Sequence, residues 1–271
     1  MKIRVRAPAS TANIGPGFDC AAAALELWNE LEVSEDAPPP DRDHLAVRAF
    51  ERLAPLDGLG FSFTDRIPRE RGLGSSAATV ALGLVAGALV AGRDLDPERL
   101  LALGVDLEGH ADNLAAALAG GVCLTWDGAI ARIADETPGA PIALVPAVRV
   151  GTQAARRELP PSVSHADAAH TAARAALLGA ALAGGSATLF AAAADDRLHE
   201  PYRAGRAPLL AAVRERPPQG TIASTLSGSG PTVIVWAQHP LAAACADELR
   251  RSYPDIDVIQ LAISPTGAGP V

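Results

Sequence analysis

The stretch Pro68-Arg69-Glu70-Arg71-Gly72-Leu73-Gly74-Ser75-Ser76-Ala77-Ala78 constrains this chain more than any other, because a glycine-rich loop runs without a spacer into a helix start. Gly72 and Gly74 allow positive φ and close approach of the backbone to a ligand, while Ser75 and Ser76 are expected to supply an N-cap and hydroxyl ligands. From Ala77 to Ala91 almost every residue is Ala, Val, Leu or Gly, so the helix is apolar all round and belongs in a core. Its N-terminus carries unsatisfied N–H groups and the positive end of a dipole, a position that suits an anion. Taken alone, the same pattern also describes an ordinary tight turn entering a helix.

The loop has no P-loop lysine, and the only lysine among the 271 residues is Lys2. Any phosphate held here has to be neutralised by amide hydrogens, the helix dipole, serine hydroxyls and a divalent cation. A formal net charge of −8 argues against a nucleic-acid surface, which needs a basic field. The length fits one large domain or two modest ones, and 49% hydrophobic content is ample for a core. Cys20, Cys123 and Cys245 are odd in number and far apart, which gives neither a disulfide framework nor a metal spacing and points to a reducing cytoplasm. No export signal is expected at Met1–Arg6, which alternates as a strand does, and the run Ala77–Ala91 is shorter than the ~20 residues of a membrane span.

In chain order, Lys2–Ala7 reads as a strand, Pro8–Asp19 as a polar loop carrying Asn13 and Asp19, and Leu25–Val33 as a second strand. A proline link, Asp36–Asp43, precedes a helix from about His44 to Leu53, and Phe61 and Phe63 mark a short strand. Asp96-Pro97 reads as an N-cap with proline at the first helical position, opening a helix toward Glu108. Asp106-Leu107-Glu108-Gly109-His110-Ala111-Asp112-Asn113 then crowds ligating side chains around a glycine; each has an ordinary capping or surface role singly, but the group is harder to explain that way. Val122–Trp126, Ile130–Ile133 and Ile142–Val145 read as strands of one antiparallel sheet. Near Pro146 the texture shifts to alanine-rich helices, Thr152–Leu159, His165–Ala183 and Ser186–Ala194, followed by the loop Ser227–Thr232 and a β-loop-β-α-β ending. A domain boundary is placed there, and only the proline link and the Thr266–Val271 tail are polar enough to escape order.

These pieces, in this order, resemble the GHMP small-molecule kinases, and within them the homoserine kinases most closely. Pro8–Asp19, Pro68–Ala78 and Leu226–Thr232 look like that family's three motifs, and Glu108–Asn113, Thr152 with Arg156, and His199–Arg203 resemble features of homoserine kinases. The resemblance spans nearly the whole chain. It implies an α+β architecture with an ATP-binding domain like ribosomal S5 domain 2 over residues 1–145 and a ferredoxin-like GHMP kinase domain over 146–271. It implies ATP with Mg²⁺ in the cleft between them. Pro68, Arg69, Gly72, Leu73, Gly74, Ser75, Ser76 and Ala77, with Ser227, Gly228, Ser229 and Gly230, would seat the nucleotide. Ser76 and Glu108 would hold the metal as hard oxygen ligands, with Asp106 the competing carboxylate.

The implied substrate is a small molecule, L-homoserine, converted to O-phospho-L-homoserine for threonine biosynthesis, with no nucleic-acid or membrane partner and a homodimer as the assembly. By the same resemblance Arg156 and Arg203 would grip its carboxylate, Asp19 its ammonium, and Asn13, His110, Asn113 and Thr152 would complete the pocket. The catalytic set would be Asn13, Ser76, Glu108, His110 and Asn113. Asn113 stands where sister kinases have an acidic base, so the expected chemistry is in-line transfer without a dedicated carboxylate base, His110 being the nearby side chain able to take a proton. Two positions depart from the pattern: Ala22, near which relatives have glycine, and His44, where many have an asparagine at the adenine. Two alternatives stay open: another kinase of the superfamily, acting on mevalonate, shikimate or a sugar, and a non-catalytic anion-binding module on the same fold.

Overall fold

A computed structural model describes residues 1–271 apart from the side chains of Thr152 and Gln153. The first half runs β1 Lys2–Asn13, β2 Gly17–Ser34, α1 Leu45–Phe50, β3 Gly60–Thr64, α2 Ser75–Val90, α3 Pro97–Glu108, α4 Ala111–Ala119, β4 Val122–Trp126 and β5 Ala129–Ala134. The second runs β6 Ala140–Val145, α5 Thr152–Arg156, α6 His165–Gly184, α7 Ala187–Ala193, α8 Glu200–Arg203, α9 Pro208–Glu215, β7 Thr221–Leu226, β8 Val233–Ala237, α10 Ala242–Ser252, β9 Asp257–Gln260 and β10 Gly269–Pro270. Two sheets result, one ordered β10-β1-β2-β4-β5 with β3 on β2, the other ordered β7-β8-β6-β9. This is the α+β arrangement expected.

The stretch expected as a loop, Pro8–Asp19, is instead the far end of a long hairpin. β1 continues through Pro8 to Asn13, pairing Ser10 with Ala24 and Ala12 with Ala22, and the turn is only Ile14–Pro16. Pro8 is tolerated because the register shifts directly after it, at a point where the ladder does not need its missing donor. Ala9, Ala12 and Ala21–Ala24 are all fully buried. Their small side chains let α2 and α4 lie close over the hairpin.

The other corrections concern pairing. Ile142–Val145, expected beside Val122–Trp126, belongs to β6 in the second sheet, where it pairs with β8 and β9. A boundary drawn at residue 145 therefore separates that strand from its partners. The tail is ordered: Gly269 and Pro270 pair with Arg6 and Val5, and the Ala268 amide donates to the Ala117 carbonyl (2.7 Å). The sequence Thr266-Gly267-Ala268-Gly269-Pro270-Val271 has no strand pattern of its own, and the order comes from the edge of β1, which needs a partner.

α2 is buried by α1, α3, α4 and the first sheet, which explains why it lacks a polar face. Gly83 and Gly87 cost helix propensity, yet a Cβ at Gly83 would overlap the Ala46 carbonyl oxygen and one at Gly87 would press on Phe50. They are the contact surface for α1. The second sheet is covered on both faces. Leu210, Val213, Cys245 and Leu249 from α9 and α10 pack on one, while Trp236 and Ile234 face Phe190 and the main core on the other. Phe190 meets Trp236 edge-on at 5.3 Å, and the buried indole N–H donates to Thr225 Oγ1 (2.9 Å). Among the described residues, no helix is long and apolar enough to cross a membrane.

Gly83→Ala is expected to destabilise the chain by about 2 kcal/mol, because backbone must move to admit the methyl group. Gly179→Ala on α6, where nothing lies within 4 Å, is the control and is expected to stabilise by about 0.5 kcal/mol or more. Urea unfolding midpoints of the two variants check the contrast.

Candidate active site

Gly74, not a serine, is the N-cap of α2: it adopts the left-handed conformation (φ 66°) and no side chain caps the helix. A Cβ at Gly74 would overlap Ser10 Oγ, so the turn requires glycine both for its φ and for its close approach to β1. Ser75 and Ser76 are already inside the helix, which corrects the expected cap. The consequence is a buried helix whose leading amides meet no side-chain acceptor and face a cavity.

That cavity, about 230 Å³, lies between the first-sheet helices and the second half of the chain. Gly72, Gly74, Ser75 and Ser76 line it, with Gly228 and Ser229 from the second glycine loop. Leu73 and Ala77 are fully buried and pack in the core, so their side chains cannot touch a ligand. Ser227 is buried too: its hydroxyl donates to the Gly72 carbonyl (2.6 Å) and lies 2.9 Å from Thr11 Oγ1, tying the two loops together. Gly230 packs against Leu226 rather than lining the cavity. Pro68 lies outside it, and Arg69 faces a neighbouring cleft of about 330 Å³ that shares Glu70, Ser75 and Ser76 with the first. His44 lines this second cleft, its ring 4.1 Å from Phe63 and its Nδ1 accepting from the Ala46 amide (3.3 Å).

The acidic cluster is split by geometry. α3 ends at Gly109, left-handed at φ 85°, and α4 starts at once with His110 as its N-cap. This break turns Glu108, His110, Asp112 and Asn113 into the cavity. Asp106 points away, held by a two-pronged ion pair with Arg52 (2.6 and 2.7 Å) on the exposed side of α3. Glu108 is thus the carboxylate beside the helix start, with the Ser76 hydroxyl near enough to favour its charged form. Burial pushes the Glu108 carboxyl up to about 7, against the influence of the Ser76 hydroxyl and with the Asp112 charge adding to the rise. Its Oε2 is buried without a partner among the described residues. No group of three or more His, Cys, Asp or Glu among those residues could form an all-protein metal cage.

At the other end of the cavity stand Asn13, Asp19, Arg156 and Arg203. Asn13 (φ 70°) and Asp19 (φ 54°) flank the hairpin turn in left-handed conformations. Both ends of the Asn13 amide are committed to the protein, Oδ1 accepting from the Asp19 amide (3.0 Å) and Nδ2 donating to the Gly228 carbonyl (2.8 Å). Arg156 pairs with both oxygens of Asp19. Arg203 is buried; its Nη1 donates to the Gly228 carbonyl (3.1 Å), and its Nε has no partner among the described residues. Both guanidiniums sit over the Phe18 ring, at 5.7 and 5.5 Å. Thr152, expected in this pocket, falls outside the described side chains. Asn113 accepts from Ser10 Oγ (2.8 Å), and His110 has its pKa lowered by burial and by Arg156.

Sequence reasoning left out Asp112, Glu70, Val150 and Gly151, which also line the cavity. Asp112 is buried on the first turn of α4 with its carboxyl raised to about 6 by burial, a state that its capping-type spacing did not reveal. Val150 reaches the site because its amide donates to the Glu70 carbonyl (3.0 Å), a long-range contact with no local signal.

Comparison with known proteins agrees with this geometry. Residues 44–121 match the family described as GHMP kinases N terminal domain. A homoserine kinase of Streptomyces avermitilis is 40% identical over 92% of this chain and 88% of its own length. One from Synechococcus is 38% identical, over 90% of this chain and 88% of its own. Among solved structures, a homoserine kinase from Cytophaga hutchinsonii superposes with a TM-score of 0.85 at 23% identity, covering all of this chain and 97% of that one. A mevalonate kinase superposes with a TM-score of 0.67 at 13% identity, covering 97% and 99%.

Because the folded state raises Glu108 from 4.5 to about 7, folded protein between those values holds a proton that the unfolded chain has released. The Glu108 contribution to stability in the ligand-free protein is therefore expected to fall as pH rises from 5.5 to about 8, while buried His199, whose pKa is lowered to about 4, contributes the opposite slope below 6.5. Thermal melts of wild type and Glu108→Gln across this range check it: the melting temperature of the variant relative to wild type is expected to increase from pH 5.5 to about 8.

Proposed function

The chain belongs to the homoserine kinase family of the GHMP kinases, and we propose that it transfers the γ-phosphoryl group of ATP to the side-chain hydroxyl of L-homoserine. One observation carries this reading: Arg156, Arg203 and Asp19 converge in the cavity onto which the uncapped start of α2 opens. A zwitterionic amino acid needs two cations for its carboxylate and an anion for its ammonium, and a triphosphate needs amide donors; this cavity holds both sets. Asp19 and Arg156 are partly exposed and paired with each other, so exchanging that pair for substrate costs little, exposed pairs being worth about 0–1 kcal/mol. The second cleft, across Ser75 and Ser76, takes the nucleoside end, with His44 and Arg69 at its wall.

The unpartnered Glu108 Oε2 beside Ser76 fits a divalent cation, and Mg²⁺ there would offset charge on the phosphate oxygens. The absence of a three-ligand cage among the described residues suits an ion coordinated mainly by phosphate and water. The residues themselves do the rest. The α2 amides and the Gly228–Ser229 backbone hold the phosphates, the arginines and Asp19 fix the amino-acid end, and Asn113 and His110 orient the hydroxyl for in-line attack. Asn113 cannot accept the proton as a base, so the proposed route is direct loss to phosphate. The first half of the chain supplies the α2 amides, Glu108 and Asp19, and the later half supplies the Gly228–Ser229 backbone and the two guanidiniums.

Coupled ADP-release assays on homoserine, mevalonate, shikimate and sugars test the substrate. Turnover on homoserine alone is expected; ATP binding without turnover on any of them would favour an anion-binding module. Arg203→Ala is expected to lower kcat/KM for homoserine by at least ~10-fold, the loss that follows from removing a charged anchor. His110→Ala is expected to raise KM while kcat survives; a matching collapse of kcat would make His110 the base.

A further inference from the structure

We propose that His199 is a positioning residue for homoserine binding, its imidazole committing Nη1 and so setting which N–H groups of the Arg203 guanidinium are left for the substrate carboxylate. The inference rests on reading Arg203 as the carboxylate anchor. His199 is fully buried, four residues before Arg203 at the start of α8, and its ring bridges two segments far apart in sequence. Nε2 lies 2.8 Å from the Gly15 carbonyl in the hairpin turn, and Nδ1 lies 3.0 Å from Arg203 Nη1.

Those partners fix the tautomer. A carbonyl oxygen only accepts and a guanidinium only donates, so Nε2 carries the proton and Nδ1 offers its lone pair. A second proton on Nδ1 would face the Arg203 N–H; burial, with the arginine charge adding to it and Asp196 opposing, depresses the imidazole pKa and keeps the ring neutral. Stacking on Phe18 at 5.1 Å holds the ring plane, and the Asp196 carboxylate accepts from the His199 and Glu200 amides (2.8 and 2.9 Å) and fixes the backbone.

Arg203 Nη1 then has both its hydrogens spent, one on His199 Nδ1 and one on the Gly228 carbonyl. Nε has no partner among the described residues. Nη2 and the buried, unpartnered Nε are thereby the N–H groups left over, the adjacent parallel pair that a carboxylate takes in bidentate fashion once it reaches them. Without the Nδ1 acceptor, Nη1 loses one of its two restraints and the fork is free to turn. A residue acting this way alters homoserine affinity while leaving phosphate binding alone.

Steady-state kinetics of wild type, His199→Phe, His199→Asn and His199→Gln test this, with thermal melts alongside. His199→Phe keeps the ring and its stacking but no nitrogen, His199→Asn restores an acceptor near Nδ1, and His199→Gln reaches only toward Gly15. The expected result is a KM for homoserine raised about tenfold in the Phe and Gln variants and largely recovered in Asn, the scale of one hydrogen bond to a charged group. The kcat and the KM for ATP are expected to change less than about twofold, the signature of lost substrate binding only. In an Arg203→Ala background, His199→Phe is expected to add nothing. Equal effects in all three variants, a joint fall of kcat and ATP affinity, or an undiminished effect in the Arg203→Ala background would overturn the proposal. Should the Phe variant not fold, the comparison of Asn with Gln decides. Absence of wild-type turnover on homoserine would instead overturn the substrate reading, and this inference with it.

Discussion

The site is organised by the uncapped first turn of α2, whose amide hydrogens have no side-chain acceptor and point into the cleft. A chain with a single lysine, far away at position 2, cannot neutralise phosphate with a flexible ammonium. A fixed dipole end can do so only if it cannot move. Burial of α2 on all sides supplies that rigidity, and Gly83 and Gly87 let α1 lock against it at backbone contact. The apolar character that makes the helix look membrane-like in sequence is what holds its N-terminus steady.

Around that end three loops, the outermost contact spanning 216 residues of sequence, are joined by short polar contacts. The Ser227 hydroxyl binds the Gly72 carbonyl, the Gly228 amide binds the Ala12 carbonyl, and the Gly228 carbonyl receives both Asn13 and Arg203. The glycine loop in the second half is thus tethered to the phosphate end and the amino-acid end together. Buried polar groups with their partners satisfied define one arrangement strongly, because losing any partner leaves another unpaired. By contrast, Asp19 and Arg156, the groups that must change partners when substrate arrives, are the partly exposed ones.

The sequence carried the framework of this site and missed much of its detail. α2, α3 with its Asp96 cap, and the split of the chain into α and β segments were readable because periodicity and capping are local. The convergence of Asp19, Glu108, Arg156 and Arg203 came from resemblance to a family, since no local rule joins residues so distant. The misreadings share a cause: tertiary context overrode local signal. Pro8 and two glycines suggested a loop where sheet pairing continues, Ser75 resembled a cap that Gly74 preempts, and Ser227 resembled a ligand although its hydroxyl is spent inside the protein. In the sequence Glu108 is preferred to Asp106 only by resemblance, and it is the helix phase placing Asp106 against Arg52 that separates them in the structure.

The central claim is that amide hydrogens at the start of α2, not side-chain cations, seat the phosphates. Backbone amide chemical shifts followed while ADP and Mg²⁺ are titrated into the protein test it most directly. The account predicts that the largest perturbations fall on Gly74 to Ala77 and on Gly228 and Ser229. Saturable ADP binding that leaves those amides unmoved while shifting resonances around arginine-bearing surfaces elsewhere would contradict it.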